Sequence, residues 1–171
     1  TNVVGLDGIL ISSNHIRLRP DLAAYGKVAS RAIWFFGGIR SNQLKNVKII
    51  GNQVLYPEDP SYYATEGFNH HTMCVGWYLS TTQSLIIENV TVEDNTITNS
   101  PSAPLAFEFG SANNLTIKNN TIIRPTITDK ASPTIKESTS LYLSLEIGRK
   151  ISILNNEFRF DGTTGPSGIY Y

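Results

Sequence analysis

The chain has 171 residues, of which 40% are hydrophobic and only 16% are charged, below the roughly 25% typical of soluble domains. Its 14 basic and 14 acidic residues cancel, so no net charge favours binding to nucleic acid or to a membrane surface. Cys74 is the single cysteine, which excludes an internal disulfide and a zinc site built from cysteines. No apolar run approaches the ~18 residues of a membrane-spanning helix.

A phrase of alternating apolar residues, followed by an asparagine and by a further apolar residue two positions beyond it, occurs five times in the chain. The copies are GILISSNHI at 8–16, NVKIIGNQV at 46–54, NVTVEDNTI at 89–97, NLTIKNNTI at 114–122 and KISILNNEF at 150–158. The period of two predicts strands, and the asparagine predicts a corner between two of them. If the copies stack, one column of side chains can form a hydrogen-bonded ladder. Its members are Asn14, Asn52, Asn95, Asn120 and Asn156.

A second phrase, a short β-prone run ending in Gly or Ser, precedes four of the five copies. It reads IWFFGG at 33–38, GWYLS at 76–80, AFEFG at 106–110 and SLEIG at 144–148. The segments between the phrases, such as 56–71 and 124–140, are rich in turn-forming residues and are predicted to be surface loops. Their variable length accounts for the uneven spacing of the phrases. The sequence therefore predicts an all-β fold, a parallel β-helix or solenoid of about five coils with long surface loops. Residues 1–171 are predicted to form this single domain.

These repeated phrases resemble the right-handed parallel β-helix of the pectin-lyase-like superfamily, which includes phage tailspikes and many polysaccharide lyases and hydrolases. The resemblance covers nearly the whole chain and is one of architecture. It implies a right-handed solenoid, a polysaccharide or oligosaccharide partner, and a location that is extracellular, on a cell surface or on a virion. Because terminal repeats need covering, we expect a fragment, further coils or a homo-oligomer at the solenoid ends.

A candidate site follows from aligning the second phrase on its final Gly or Ser. This alignment puts Phe35, Tyr78, Glu108 and Glu146 in one outward column, flanked by mostly small residues that leave a groove along the solenoid. Glutamates on adjacent coils would lie near the 5 to 5.5 Å spacing of retaining glycosidases. Their mutual repulsion would raise the pKa of at least one of them, as a general acid requires. We predict Glu108 and Glu146 as the catalytic pair.

The same groove predicts substrate-binding residues. Phe35 and Tyr78 supply aromatic faces for sugar rings, and His70 and His71 lie in the loop leading to the Tyr78 strand. The alternative interpretation is that the two aromatic residues pack beneath a loop, that the histidines are bystanders, and that the glutamates pair with basic neighbours. Arg149 and Lys118 are available for such pairs.

The resulting prediction is a glycoside hydrolase acting on a carbohydrate chain in the groove. Two alternatives stay open: a polysaccharide lyase, and a non-catalytic carbohydrate-binding or structural segment of a phage tail or surface protein. We expect no nucleic acid or membrane partner, no cofactor and no tight metal site. Calcium held by loop carboxylates such as Asp59, Asp129 or Asp161 stays open.

Overall fold

The computed structural model describes residues 5–17, 32–35, 43–56, 73–75, 85–100, 104–125, 139–161 and 167–170. All regular secondary structure in these ranges is β-strand. The strands are β1 Leu6–Asp7, β2 Leu10–Ser12, β3 His15–Arg17, β4 Ile33–Phe35, β5 Gln43–Ile50, β6 Gln53–Leu55, β7 Met73–Val75, β8 Leu85–Glu93, β9 Thr96–Thr98, β10 Leu105–Lys118, β11 Thr121–Pro125, β12 Thr139–Leu154, β13 Glu157–Asp161 and β14 Ser167–Tyr170.

The described strand pairs are all parallel and belong to two sheets. One sheet follows the order β1-β5-β8-β10-β12-β14, with β2 beside β5 and with β7 between β4 and β10. The other follows β13-β11-β9-β6-β3. Each pair joins equivalent strands of successive sequence repeats, so the repeats stack as layers. The predicted all-β fold of parallel strands is confirmed for the described residues, and the stacked sheets are compatible with a β-helix.

We number the layers in chain order: layer 1 holds β1 to β3, layer 2 β4 to β6, layer 3 β7 to β9, layer 4 β10 and β11, and layer 5 β12 and β13, while β14 begins a further layer on β12. The core consists of columns of inward side chains that continue from layer to layer. One column contains Ile11, Ile49, Val92, Ile117 and Ile153. A second contains Ile16, Val54, Ile97, Ile122 and Phe158.

Burial along these columns depends on having a layer on both sides. The three middle members of each column are at most 2% exposed, whereas the end members Ile11, Ile16, Ile153 and Phe158 are only half-buried. Complete burial of an Ile or Val side chain contributes about 1.5 to 3 kcal/mol. The stacking of layers is therefore itself a main source of stability.

The predicted asparagine ladder is present beside this core. Each Nδ2 donates to the Oδ1 of the next asparagine along the series Asn14, Asn52, Asn95, Asn120 and Asn156, at 2.8 to 2.9 Å. The backbone N–H of each of the first four donates to the same Oδ1, at 3.0 to 3.1 Å. The three middle side chains are 0% exposed. We call this column the inner ladder.

The sharp corner lies one residue before each inner-ladder asparagine, not at the asparagine as the sequence suggested. The residues with positive φ at this corner are Ser13, Gly51, Asp94, Asn119 and Asn155. Left-handed dihedrals cost least for Gly, Asn and Asp, which fill four of the five positions. The ladder residue itself turns inward, where its amide satisfies backbone groups such as the carbonyl of Ile49, 2.9 Å from Asn95 Nδ2.

A second bend carries a ladder that the sequence reasoning did not identify. Asn114 Nδ2 donates to Asn89 Oδ1 at 2.8 Å, Asn89 Nδ2 to Asn46 Oδ1 at 3.0 Å, and Asn46 Nδ2 to Asp7 Oδ1 at 2.7 Å. These side chains are exposed. All three asparagines have φ between 53° and 62°. We call this column the outer ladder; the signal for it was the asparagine that opens three of the five phrases.

Candidate functional site

Three of the residues predicted to form the groove lie on first strands of their layers, Phe35 on β4, Glu108 on β10 and Glu146 on β12, but in a different register. Phe35 is aligned with Val75, Val75 with Phe107, and Phe107 with Leu143. The predicted column joined Phe35 to Glu108 and Glu146 instead, and this part of the alignment is wrong. In the last two phrases the final Gly is a poor anchor for the register, because the pairing of β10 with β12 shifts on both sides of Gly110.

Phe35 also differs from the prediction in its direction. Its side chain is half-buried and packs against the hydrophobic core rather than lying on an outward face. With Ile11, Ile16 and Ile33 it lines a cavity of about 460 Å³ next to layer 1. Phe35 therefore packs against the core, while the loop beneath which the alternative interpretation placed it lies outside the described residues.

Glu108 and Glu146 lie at one irregular place in the pairing of β10 with β12. Glu108 is aligned with Ser144, Gly110 with Leu145, and the register shifts on both sides of Gly110. Since Ser111 is then aligned with Ile147, the two glutamates lie on neighbouring strands with an offset of two residues. A rise of about 3.3 Å per residue and a strand spacing of about 4.8 Å separate their Cα atoms by roughly 8 Å.

The burial pattern locates the same irregularity independently. Leu145 packs against the core, yet Ile147 is 52% exposed, although residues two apart in a regular strand face the same side. Phe107 and Ala112 are both buried although they are five residues apart. Each strand therefore changes its alternation within this segment. Such bulges re-aim side chains and are over-represented next to active sites.

Other predicted residues lie outside the described residues or have different partners. Tyr78, His70 and His71 lie outside the described residues, as do Asp59 and Asp129, and of Asp161 only the backbone, at the end of β13, is described.

Lys118, considered as a partner for the candidate glutamates, pairs with Glu93 instead, at 2.8 Å. A second pair joins Lys45 to Glu88 at 3.1 Å. Both pairs join adjacent layers, β8 to β10 and β5 to β8, across the outward face.

An outward row of hydroxyl groups runs along the middle of the same face. Thr91 is aligned with Thr116, and Thr116 with Ser152, with Lys48 preceding them in layer 2. All three hydroxyl side chains are partly exposed. The row repeats at the spacing of the strands, about 4.8 Å, so it offers a regular series of hydrogen-bond donors and acceptors to an elongated ligand.

Within the described part of the chain, no three His, Cys, Asp or Glu side chains converge as metal ligands. The described ranges also hold no helix that is long and apolar enough to span a membrane. Comparison with protein-family models, with curated proteins and with solved structures finds no match.

Proposed function

We propose that this chain is a right-handed parallel β-helix of about five coils, of the pectin-lyase-like type, that hydrolyses glycosidic bonds in a carbohydrate chain lying along its outer surface. The observation that supports this proposal is the backbone position of Glu108 and Glu146, which lie on the adjacent strands β10 and β12 at an offset of two residues, beside the irregular pairing at Gly110. Two carboxyl groups flanking a bond are the usual requirement of glycoside hydrolysis. Substrates of this kind place the protein outside the cell, on a cell surface or on a virion.

The two glutamates would divide the chemistry between them. One acts as general acid on the leaving oxygen, and the other acts as nucleophile in a retaining enzyme or as general base on water in an inverting one. Carboxyl groups about 5 to 5.5 Å apart are typical of the retaining reaction, and groups about 6.5 to 9.5 Å apart leave room for the attacking water of the inverting reaction.

The test is the cleavage of a panel of polysaccharides by Glu108→Gln and Glu146→Gln, compared with Glu88→Gln as a matched control from the Lys45 ion pair. Loss of an acid or base lowers the rate by about 10²- to 10⁴-fold, and the control keeps the wild-type rate. The anomeric form of the first product, followed by NMR, reports inversion or retention. Full activity in both candidate variants would remove these residues from the mechanism.

A second function, carbohydrate binding without cleavage, is favoured by the hydroxyl row of Thr91, Thr116 and Ser152. Hydroxyl side chains can form hydrogen bonds with the hydroxyl groups of a sugar chain without any carboxylate. A glycan array separates the two functions, since binding without turnover, abolished by Thr116→Val but not by Glu108→Gln, supports a binding module. An unsaturated product would instead indicate a lyase.

A further inference from the structure

The outer ladder and the hydroxyl row are neighbours on one outward surface. Thr91 follows Asn89 by two positions, and Thr116 follows Asn114 by two. Both threonines stand between fully buried core residues, so their side chains face outward. The asparagines are joined by the outer ladder and the threonines by strand alignment, so the two columns run side by side from layer to layer. We call them the polar track, which consists of Asn46, Asn89, Asn114, Thr91, Thr116 and Ser152.

The amides of the polar track keep hydrogen-bonding capacity that the ladder does not use. A side-chain amide has two N–H hydrogens, and its oxygen has two acceptor lone pairs. Asn89 uses one hydrogen toward Asn46 Oδ1 at 3.0 Å and one lone pair for Asn114 Nδ2 at 2.8 Å. Among the described residues nothing engages the other hydrogen and lone pair of this exposed side chain. The rung therefore offers a donor and an acceptor to a ligand, beside the hydroxyl of Thr91.

These polar groups are ordered before any ligand binds. The ladder bonds hold the planes of the amides, and the branched Cβ of threonine restricts its rotamers. Binding to side chains that are already ordered avoids the entropic cost of immobilising them. The groups repeat at the spacing of the layers, about 4.8 Å. The ligand that fits is therefore elongated and carries polar groups at short, regular intervals.

The charges beside the polar track favour an uncharged ligand. On one side Lys45 pairs with Glu88 at 3.1 Å, and on the other Lys118 pairs with Glu93 at 2.8 Å. Each pair neutralises the charges of its two members. The middle of the track, in layers 3 and 4, consequently meets a ligand with amides and hydroxyl groups rather than with an excess of one charge.

We propose that the polar track is a second carbohydrate-binding site, separate from Glu108 and Glu146, and that its ligand is a neutral polysaccharide lying along the stack. Each sugar hydroxyl both donates and accepts a hydrogen bond, which matches the paired donors and acceptors of the rungs. Asn114 lies six positions beyond Glu108 in β10, so the track retains the polymer while another stretch of it is cleaved. The carbohydrate nature of the ligand rests on the proposed function, whereas the position of the site rests on the ladder contacts.

Affinity electrophoresis tests the proposal in native gels that contain dextran, xylan, galactomannan or, as an acidic polymer, alginate. The double variant Glu108→Gln Glu146→Gln serves as the parent, because cleavage then does not alter the polymer. We expect a neutral polysaccharide to retard the parent, and Asn89→Gly or Thr116→Val to raise the dissociation constant about tenfold or more, since each leaves a sugar hydroxyl without its partner. Glycine keeps the bend at Asn89, where φ is 54°. Thr121→Val, at a partly exposed position of the other sheet, is the matched control and binds like the parent.

The outcomes for the polar track and for the hydrolase are distinguishable. Equal retardation of the parent and both track variants would overturn the second site, and so would the absence of retardation by every neutral polymer. Retardation by alginate alone would overturn it too, because binding would then belong to the exposed lysines at the ends of the track, Lys48 and Lys150. Binding that the track variants lose, in a protein whose wild type cleaves none of the polymers, would support the track and contradict the hydrolase.

Discussion

The inner and outer ladders use the same side chain in the same layers, yet their surroundings give them different weight. Inner-ladder amides in layers 2 to 4 are 0% exposed, so water cannot replace a lost partner, and each missing hydrogen bond leaves a buried group unsatisfied. Outer-ladder amides are exposed, and water satisfies whatever the ladder does not. Burial, rather than the number of hydrogen bonds, therefore decides how much an asparagine column contributes to stability.

The largest effect is expected from Asn95→Ala in the inner ladder. The change removes the acceptor of both Asn52 donors, at 3.0 and 2.9 Å, and the donor to the Ile49 carbonyl. Each orphaned buried group costs about 1 to 3 kcal/mol, so we expect a loss of about 3 kcal/mol or more, measured by equilibrium urea unfolding. Because φ of Asn95 is not positive, alanine adds no backbone strain. A loss below about 1 kcal/mol would contradict the role assigned to the inner ladder.

A much smaller effect is expected from Asn89→Gly in the outer ladder. Glycine keeps the left-handed bend, where φ is 54°, and removes only the exposed hydrogen bonds to Asn46 and from Asn114. Water replaces these contacts, so the expected loss in the same urea experiment is below about 1 kcal/mol. A loss as large as that of Asn95→Ala would show that the two ladders do not differ as described.

A gain of stability is expected from Lys150→Asn, which extends the outer ladder into layer 5. Lys150 has φ of 52°, a conformation that asparagine and glycine adopt at lower cost than lysine. We expect a gain of about 0.5 to 1 kcal/mol in unfolding free energy. Lys150→Gly is the matched control, because it relieves the same bend without supplying an amide. A gain from glycine that equals the gain from asparagine would assign the whole effect to the backbone.

The smallest effect is expected from Lys118→Gln, which removes the ion pair with Glu93. The two side chains are 35% and 22% exposed, and pairs of this kind contribute about 0 to 1 kcal/mol. Moderate salt screens them further. The difference between wild type and variant should therefore shrink as sodium chloride is added to the thermal unfolding assay. A difference that grows with salt would point to packing by the lysine stem instead.

The fold was more predictable from the sequence than the site. The alternation of apolar residues around each asparagine predicted the stacked parallel strands and the inner ladder. Both could be predicted because stacked layers repeat the same residue pattern, so equivalent side chains form columns. The predicted position of the corner was off by one residue. An asparagine such as Asn52 or Asn95 suits both the corner and the ladder position, and only the hydrogen bonds determine which of the two it occupies. The outer ladder was missed because its asparagines stand at the start of the phrases, before the alternating residues whose period of two was the signal.

The register at Glu108 and Glu146 could not be read from the sequence for a physical reason. An alignment assumes unbroken alternation, and a bulge breaks the alternation within a few residues without a distinctive residue to mark it. Gly110 and Gly148 looked like equivalent ends of two strands, yet Gly110 is aligned with Leu145 and Gly148 with Ala112. The same assumption misplaced Phe35, whose inward packing follows from its alignment with Val75 and Phe107.

The most direct test of the difference between the ladders is hydrogen exchange of the side-chain amides, followed residue by residue by NMR. In Asn95 both Nδ2 hydrogens make hydrogen bonds inside the core. We therefore predict that they exchange as slowly as the most protected backbone amides of the strands. Asn89 Nδ2 hydrogens should exchange orders of magnitude faster, because their side chain is in contact with water. Equal exchange rates at Asn95 and Asn89 would contradict the account.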